Sequence, residues 1–266
     1  MTLNASYQVK MTGTQTNIPL FSGATMEMID TRFNFYTDAK GGDPDKTSPT
    51  LRKYHKILWS KPLPNGKIFE LSESKSGVYL YHKSELGEFF LGSDTIFRSY
   101  ILQKRKQWLI KQIPDEVDEL LNVCCNIAGY IVFPCNKIDG KRTINQARGM
   151  NKLIDDRFDL TLECIRRFYS GQKSPLYDAL LRYKYFFDLF DDFIGYVDFF
   201  LLGDLIDENQ EIKFYLPFDD FKTYPKFSDK DDYLLYKKGI TNFIRQRNKR
   251  IEKYIQLKEN KENARQ

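Results

Sequence analysis

The chain has 266 residues, of which 41% are hydrophobic and 29% charged, a composition that excludes intrinsic disorder and supplies enough apolar material for one sizeable core. Its net charge of +5 names no partner by itself, and its 15% of aromatic residues are first of all core. No stretch approaches the ~18 apolar residues of a membrane span. Cys124, Cys125, Cys135 and Cys164 show no zinc or C-x-x-C spacing, so the expectation is a cytoplasmic protein with reduced thiols, no membrane partner, no metal and no cofactor.

Residues 1–25 lack apolar periodicity and are expected to form a flexible extension to one globular domain over 26–257, with a frayed tail over 258–266. The stretch Asp38–Pro49 (DAKGGDPDKTSP) carries loop chemistry, and its closing Ser48-Pro49 predicts an N-cap and first helical residue. The helix behind it carries Leu51, Tyr54, Leu58 and Trp59. Two short strands, Lys67–Leu71 and Val78–Tyr81, follow on either side of a polar turn. A long helix is predicted from Asp94 to Lys111, with Ile96, Tyr100, Ile101, Trp108 and Leu109 as its apolar set, and another begins after Pro114.

The run AGYIVFP (128–134) is short, apolar and closed by a proline, which predicts a buried central strand. After a polar loop, a helix is expected from Asn145 or Leu153 to Tyr169, with Ile154, Phe158, Leu162, Ile165 and Tyr169 at helical spacing. Ser174-Pro175 predicts a further helix, apolar nearly all round and therefore buried. Lys213–Leu216 reads as a strand. Ser228-Asp229 predicts the start of a long helix with Tyr236, Ile240, Ile244, Ile251 and Ile255 on one face, fraying from Lys258. The expected fold class is α+β: a mainly helical single domain with a small sheet holding Tyr130–Phe133 at its centre.

Charge is segregated along the chain. From Asp188 to Asp220 ten acids face Lys213 alone, and from Lys237 to Lys253 seven cations face Glu252 alone. These segments either neutralise one another in the fold or leave a basic face.

The loop after the predicted central strand offers Asn136, Lys141, Arg142, Asn145 and Arg148 ahead of a helix. Free backbone N–H groups at a helix start, with added cations, suit an anion, although no Gly-rich phosphate-binding pattern is present. The following helix carries Asp155, Asp159, Glu163 and Arg166. It reads either as an ion-pair ladder or as carboxylates for acid–base work. His55 and His82 lack the spacing of a metal pair and read as structural. Aromatic and basic residues alternate along the last helix, as on surfaces that track a phosphate backbone.

The blocks SPTLRKYHKILWSKPLPNG (48–66), YHKSELGEFFLGSDTI (81–96), FPCNKIDGKRTINQARG (133–149), DRFDLTLECIRRFYSG (156–171), GYVDFFLLGDLI (195–206) and FYLPFDDF (214–221) resemble an uncharacterised bacterial family carrying a domain of unknown function, over about residues 28–250. That resemblance brings no catalytic residues. A strand followed by a loop with Asn136 and Gly140 is also similar to the first motif of the uracil-DNA glycosylase superfamily. The second motif would fall at Pro217-Phe218-Asp219, which departs from the usual pattern. The functional expectation is a nucleic-acid- or nucleotide-directed protein, including the base-excising type, with a non-enzymatic interaction protein and a metal-dependent hydrolase as alternatives. In that picture Lys141, Arg142, Asn145 and Arg148 hold an anionic substrate, Asn136 orients it, and Asp159 or Glu163 handles a proton.

Overall fold

The computed structural model describes residues 29–100 and 103–264. The extension expected over residues 1–25 lies outside the described residues. The loop chemistry of residues 38–49 builds a short helix, α1 (Pro44–Thr47), and then α2 (Pro49–Trp59). Ser48 caps α2 as its place before Pro49 predicts, its Oγ accepting from Leu51 N at 3.1 Å. Leu51, Tyr54, Leu58 and Trp59 all turn into the core.

Strands β1 (Lys61–Pro62) and β2 (Ile68–Phe69) form a small antiparallel pair. Strands β3 (Ser72–Glu73), β4 (Leu80–Ser84), β5 (Gly87–Thr95) and β6 (Tyr130–Pro134) form an antiparallel sheet in that spatial order. The strands predicted around residues 67–71 and 78–81 therefore exist but belong to different sheets. All of β6 is buried, as its apolar run predicts, yet it stands at the edge of the sheet, not at its centre. Its burial comes from helices. Arg247 reaches it from the far end of the chain and donates to the carbonyls of Ala128 and Tyr130, each at 2.8 Å, and of Phe200 at 2.9 Å.

The helix predicted over Asp94–Lys111 is overturned. Asp94 and Thr95 end β5, paired with Ile131 and Tyr130, and Ile96 N continues the contact to Gly129 O at 2.8 Å. Pairing with a buried strand outweighs the helical spacing of Ile96 and Tyr100, and helix resumes only at α3 (Gln107–Ile110). After it comes α4 (Pro114–Cys124), with its proline in the first turn.

The single helix expected to end at Tyr169 is two, α5 (Ile144–Met150) and α6 (Phe158–Tyr169). Between them Asp155 and Asp156 hold the left-handed conformation, φ 48° and 63°, which no right-handed helix can pass through. The helix expected after Ser174-Pro175 is likewise broken, into α7 (Tyr177–Arg182) and α8 (Lys184–Phe187). It is not buried all round: Leu181 and Tyr185 are exposed. Next is α9 (Phe193–Phe199).

Lys213–Leu216 is not a strand. Ile212 makes one isolated bridge to Ile206, and the N–H of Tyr215 goes to Asp159. The last helix, α10 (Lys230–Asn263), continues past Lys258, where fraying was expected. Asp229 Oδ1 caps it, accepting from Asp231 N and Asp232 N. The fold is thus α+β and mainly helical, with helices packed around one small sheet in a single core.

Candidate functional site

The residues singled out between positions 136 and 163 do not converge. Arg148 projects from α5 into the protein and is fully buried. It pairs with Asp94 on β5 and donates Nε to Thr161 Oγ1 at 2.9 Å and Nη2 to Thr95 O at 3.2 Å. Asn145, one turn earlier, donates Nδ2 to Ser93 O at 3.3 Å, and its Oδ1 is buried with no partner among the described residues. Both side chains clamp α5 to β5 rather than face solvent.

Around this clamp lies a polar cluster that the sequence did not announce. Asp156 receives Arg98 Nη1 at 2.7 Å. Burial pushes Asp94 up to about 7 against the opposing charge of Arg148, with Asp156 adding to the rise. Burial, reinforced by Asp94 and Asp43, also raises Asp45 of α1 well above the usual carboxylate range. His55 closes the cluster from behind. Its Nδ1 accepts from Trp59 Nε1 at 2.9 Å, so its Nε2 donates to Ser93 Oγ at 3.0 Å.

The carboxylates of α6 are ion-pair members. Asp159 is fully buried, takes Arg157 with both oxygens and also accepts from Tyr215 N at 3.0 Å. Glu163 takes Arg166 with both oxygens, at 2.8 and 3.1 Å, and Arg167 Nε at 2.6 Å. The expected proton-handling face is therefore saturated with guanidinium groups. Asn136 is exposed; among the described residues its side chain has no hydrogen-bond partner, and its backbone carbonyl accepts from Tyr183 Oη at 2.8 Å. Among the described residues no group of three or more His, Cys, Asp or Glu side chains is placed to hold a metal ion.

Lys141 and Arg142 stand apart from that network. Both are exposed in the turn before α5 and line the rim of an open depression of about 750 Å³ together with Lys152 and Arg182. The turn is held in place from below: Thr143 and Gln146 form a capping box, and Arg182 Nη2 donates to the Arg142 carbonyl at 2.7 Å. The far wall is Tyr224, on the loop between Leu216 and α10.

Tyr224 also lines two further depressions, so the three are contiguous. One, of about 260 Å³, runs along Lys152, Lys226, Arg105 and Trp108. The other, of about 230 Å³, is bounded by Leu153, Lys226, Asp219 and Asp232. The ammonium groups of Lys152 and Lys226 lie 5.8 and 6.0 Å from the Tyr224 ring centroid. Lys141, Arg142, Lys152 and Lys226 have no carboxylate partner among the described residues. By contrast Arg105 pairs with Asp155, and Lys106 is buried over the Phe227 ring at 4.3 Å.

The basic C-terminal segment does not join this surface. Arg247 is buried, Lys237 pairs with Glu116 and Glu119 of α4, and Arg250 pairs with Asp204 of the acidic segment at 2.8 Å. Glu211 and Asp220 of the same segment pair with Arg166 and Arg167. Part of each charge block seen in the sequence is thus spent on holding the fold together.

Residues 29–251 match a family of unknown function, DUF6994. The chain belongs to this family. The family region takes in every residue of the groove around Tyr224 and of the cluster behind it. No curated protein and no solved structure matches the chain. No helix among the described residues is long and apolar enough to cross a membrane.

Proposed function

We propose that this protein binds a nucleic acid or nucleotide through its phosphates, in the groove around Tyr224. One observation carries the reading. Four cations without carboxylate partners among the described residues, Lys141, Arg142, Lys152 and Lys226, border adjoining depressions that share Tyr224, whereas the nearby Arg148, Arg157 and Arg167 are held by carboxylates. Cations in a cleft focus a positive potential and attract phosphate. The proposal is one of binding. Of the two glycosylase-like positions, Asp219 lines the smallest depression and Asn136 lines none of the three, so the geometry lends base excision no support.

Filter binding with DNA, RNA and mononucleotides at two salt concentrations tests the reading. The affinity for a single strand should fall with salt on a log–log slope of about 0.7 per neutralised phosphate. Lys141→Glu with Arg142→Glu, or Lys152→Glu, should weaken binding and flatten that slope. Binding that ignores both salt and charge reversal, or no binding at all, sinks the proposal.

A further inference from the structure

We infer that the occupant of the groove is single-stranded nucleic acid, with its bases stacked on Tyr224 and Trp108 and its backbone following the cations on either side. This rests on the phosphate-binding reading above and goes beyond it in naming the form of the partner. Three features of the surface select a strand with splayed bases.

The first is the rings. Trp108 is 47% exposed and Tyr224 49%, both at the groove and both with ring area open to solvent. The other tryptophan, Trp59, is fully buried. Exposed aromatic faces interleaved with cations form a stacking platform, which a base can use whatever its identity. A duplex keeps its bases inside and offers such rings nothing to stack on.

The second is the position of Tyr224. It is a wall shared by all three depressions, with Lys141 and Arg142 lining one and Lys226 and Trp108 lining another. An anion that engages both sets of side chains is extended and passes over Tyr224. The Lys152 and Lys226 ammonium groups lie over the ring at 5.8 and 6.0 Å, and a base that stacks there displaces them towards its own phosphates.

The third is Asp178, exposed in the widest depression with no partner for its carboxylate among the described residues. A carboxylate repels phosphate but accepts from the exocyclic amine of a base. It therefore turns backbone towards Lys141 and Arg142 and base edges inward.

The experiment is a titration of the full chain with three probes: a single-stranded oligonucleotide, its duplex, and inorganic polyphosphate of similar charge. Affinity is read from anisotropy and from the fluorescence of Trp108. The single strand should bind most tightly and quench Trp108. Tyr224→Ala and Trp108→Ala should each weaken it about 5- to 150-fold, leave polyphosphate binding unchanged and keep the wild-type melting temperature, since both rings are on the surface. Tyr224→Phe should bind as wild type. If the duplex binds as tightly as the strand, or the alanine variants bind the strand normally, the inference is overturned while phosphate binding stands. If no polyanion binds, both readings fall. Comparing RNA with DNA strands then reads the sugar preference.

Discussion

Asp159→Asn removes one charge and almost no volume from the centre of the protein, which makes it a sharp test of what the α6 carboxylates do. Asp159 is fully buried and its partner Arg157 nearly so, at 2%. Burial works against the Arg157 guanidinium, yet the neighbouring carboxylate outweighs it and raises the group above its ordinary value. Asparagine would leave that guanidinium uncompensated and turn an amide N–H₂ towards another donor. Breaking a buried pair from one side costs about 3–5 kcal/mol. At about 2–4 °C per kcal/mol for a chain of this size, melting should fall by roughly 6–20 °C. The double variant Arg157→Met, Asp159→Leu removes both charges, so it should regain most of that loss. It keeps a deficit of about 1–3 kcal/mol from the Tyr215 N–H, which now lacks an acceptor. Scanning calorimetry at neutral pH measures all three proteins. An Asp159→Asn protein that melts within about 2 °C of wild type while losing nucleic-acid binding would refute the structural role and return Asp159 to the functional site.

Two other outcomes follow from the same structure. Burial first, and then the Arg247 charge, lower His55 to about 3, so the native state refuses a proton that the unfolded chain accepts near pH 6.5. The stability His55 contributes is therefore fully present above about 6.5 and is lost as pH falls towards 3, at up to about 1.4 kcal/mol per unit. His55→Gln should make the urea midpoint less sensitive to acidification from about pH 7 to about pH 5, and equal sensitivity in both proteins would contradict the assignment. A Cβ on Gly129 would sit 1.8 Å from the Cys124 carbonyl oxygen, whereas one on Gly149 meets nothing within 4 Å. Gly129→Ala should thus lose about 4 kcal/mol or more, or fail to accumulate as soluble protein. Gly149→Ala, in α5, should hold or gain up to about 1 kcal/mol. Chemical denaturation of the pair checks the contrast.

Local chemistry explains which elements could be read in advance. Ser48 and Asp229 act at helix starts through hydrogen bonds within four residues, Pro114 through its fixed φ and missing N–H, and β6 is apolar at nearly every position. The errors arose where a partner lay far off. Asp94 and Thr95 have helical neighbours in sequence but pair with residues 131 and 130. Arg148 resembles an anion-binding arginine in an exposed loop until Asp94, 54 residues away, is found beside it. The exposure of Lys141 and Arg142 was legible because a polar turn before a capped helix keeps its cations in solvent. Tyr224, Lys152 and Lys226 gave no such signal: Tyr224 and Lys226 share the loop before α10, Lys152 lies in the turn after α5, and only the fold gathers them. Trp108 was placed in the apolar set of a helix over Asp94–Lys111 that does not form as drawn, and on α3 it is 47% exposed.

Arg247 also bears on the order in which the molecule can be made. Its guanidinium ties together the carbonyls of residues 128, 130 and 200, the first two of them 119 and 117 residues earlier in the chain. Until α10 docks, the start of β6 has apolar side chains in place but carbonyls without donors, at the rim of a sheet with no further strand beyond it among the described residues. Such an unfinished rim is a template for strands from neighbouring chains. Closure of this rim therefore needs a long-range contact that the last helix supplies. A chain stopped before residue 247 presents its most hydrophobic strand uncovered, and its expected fate is aggregation rather than a smaller native domain.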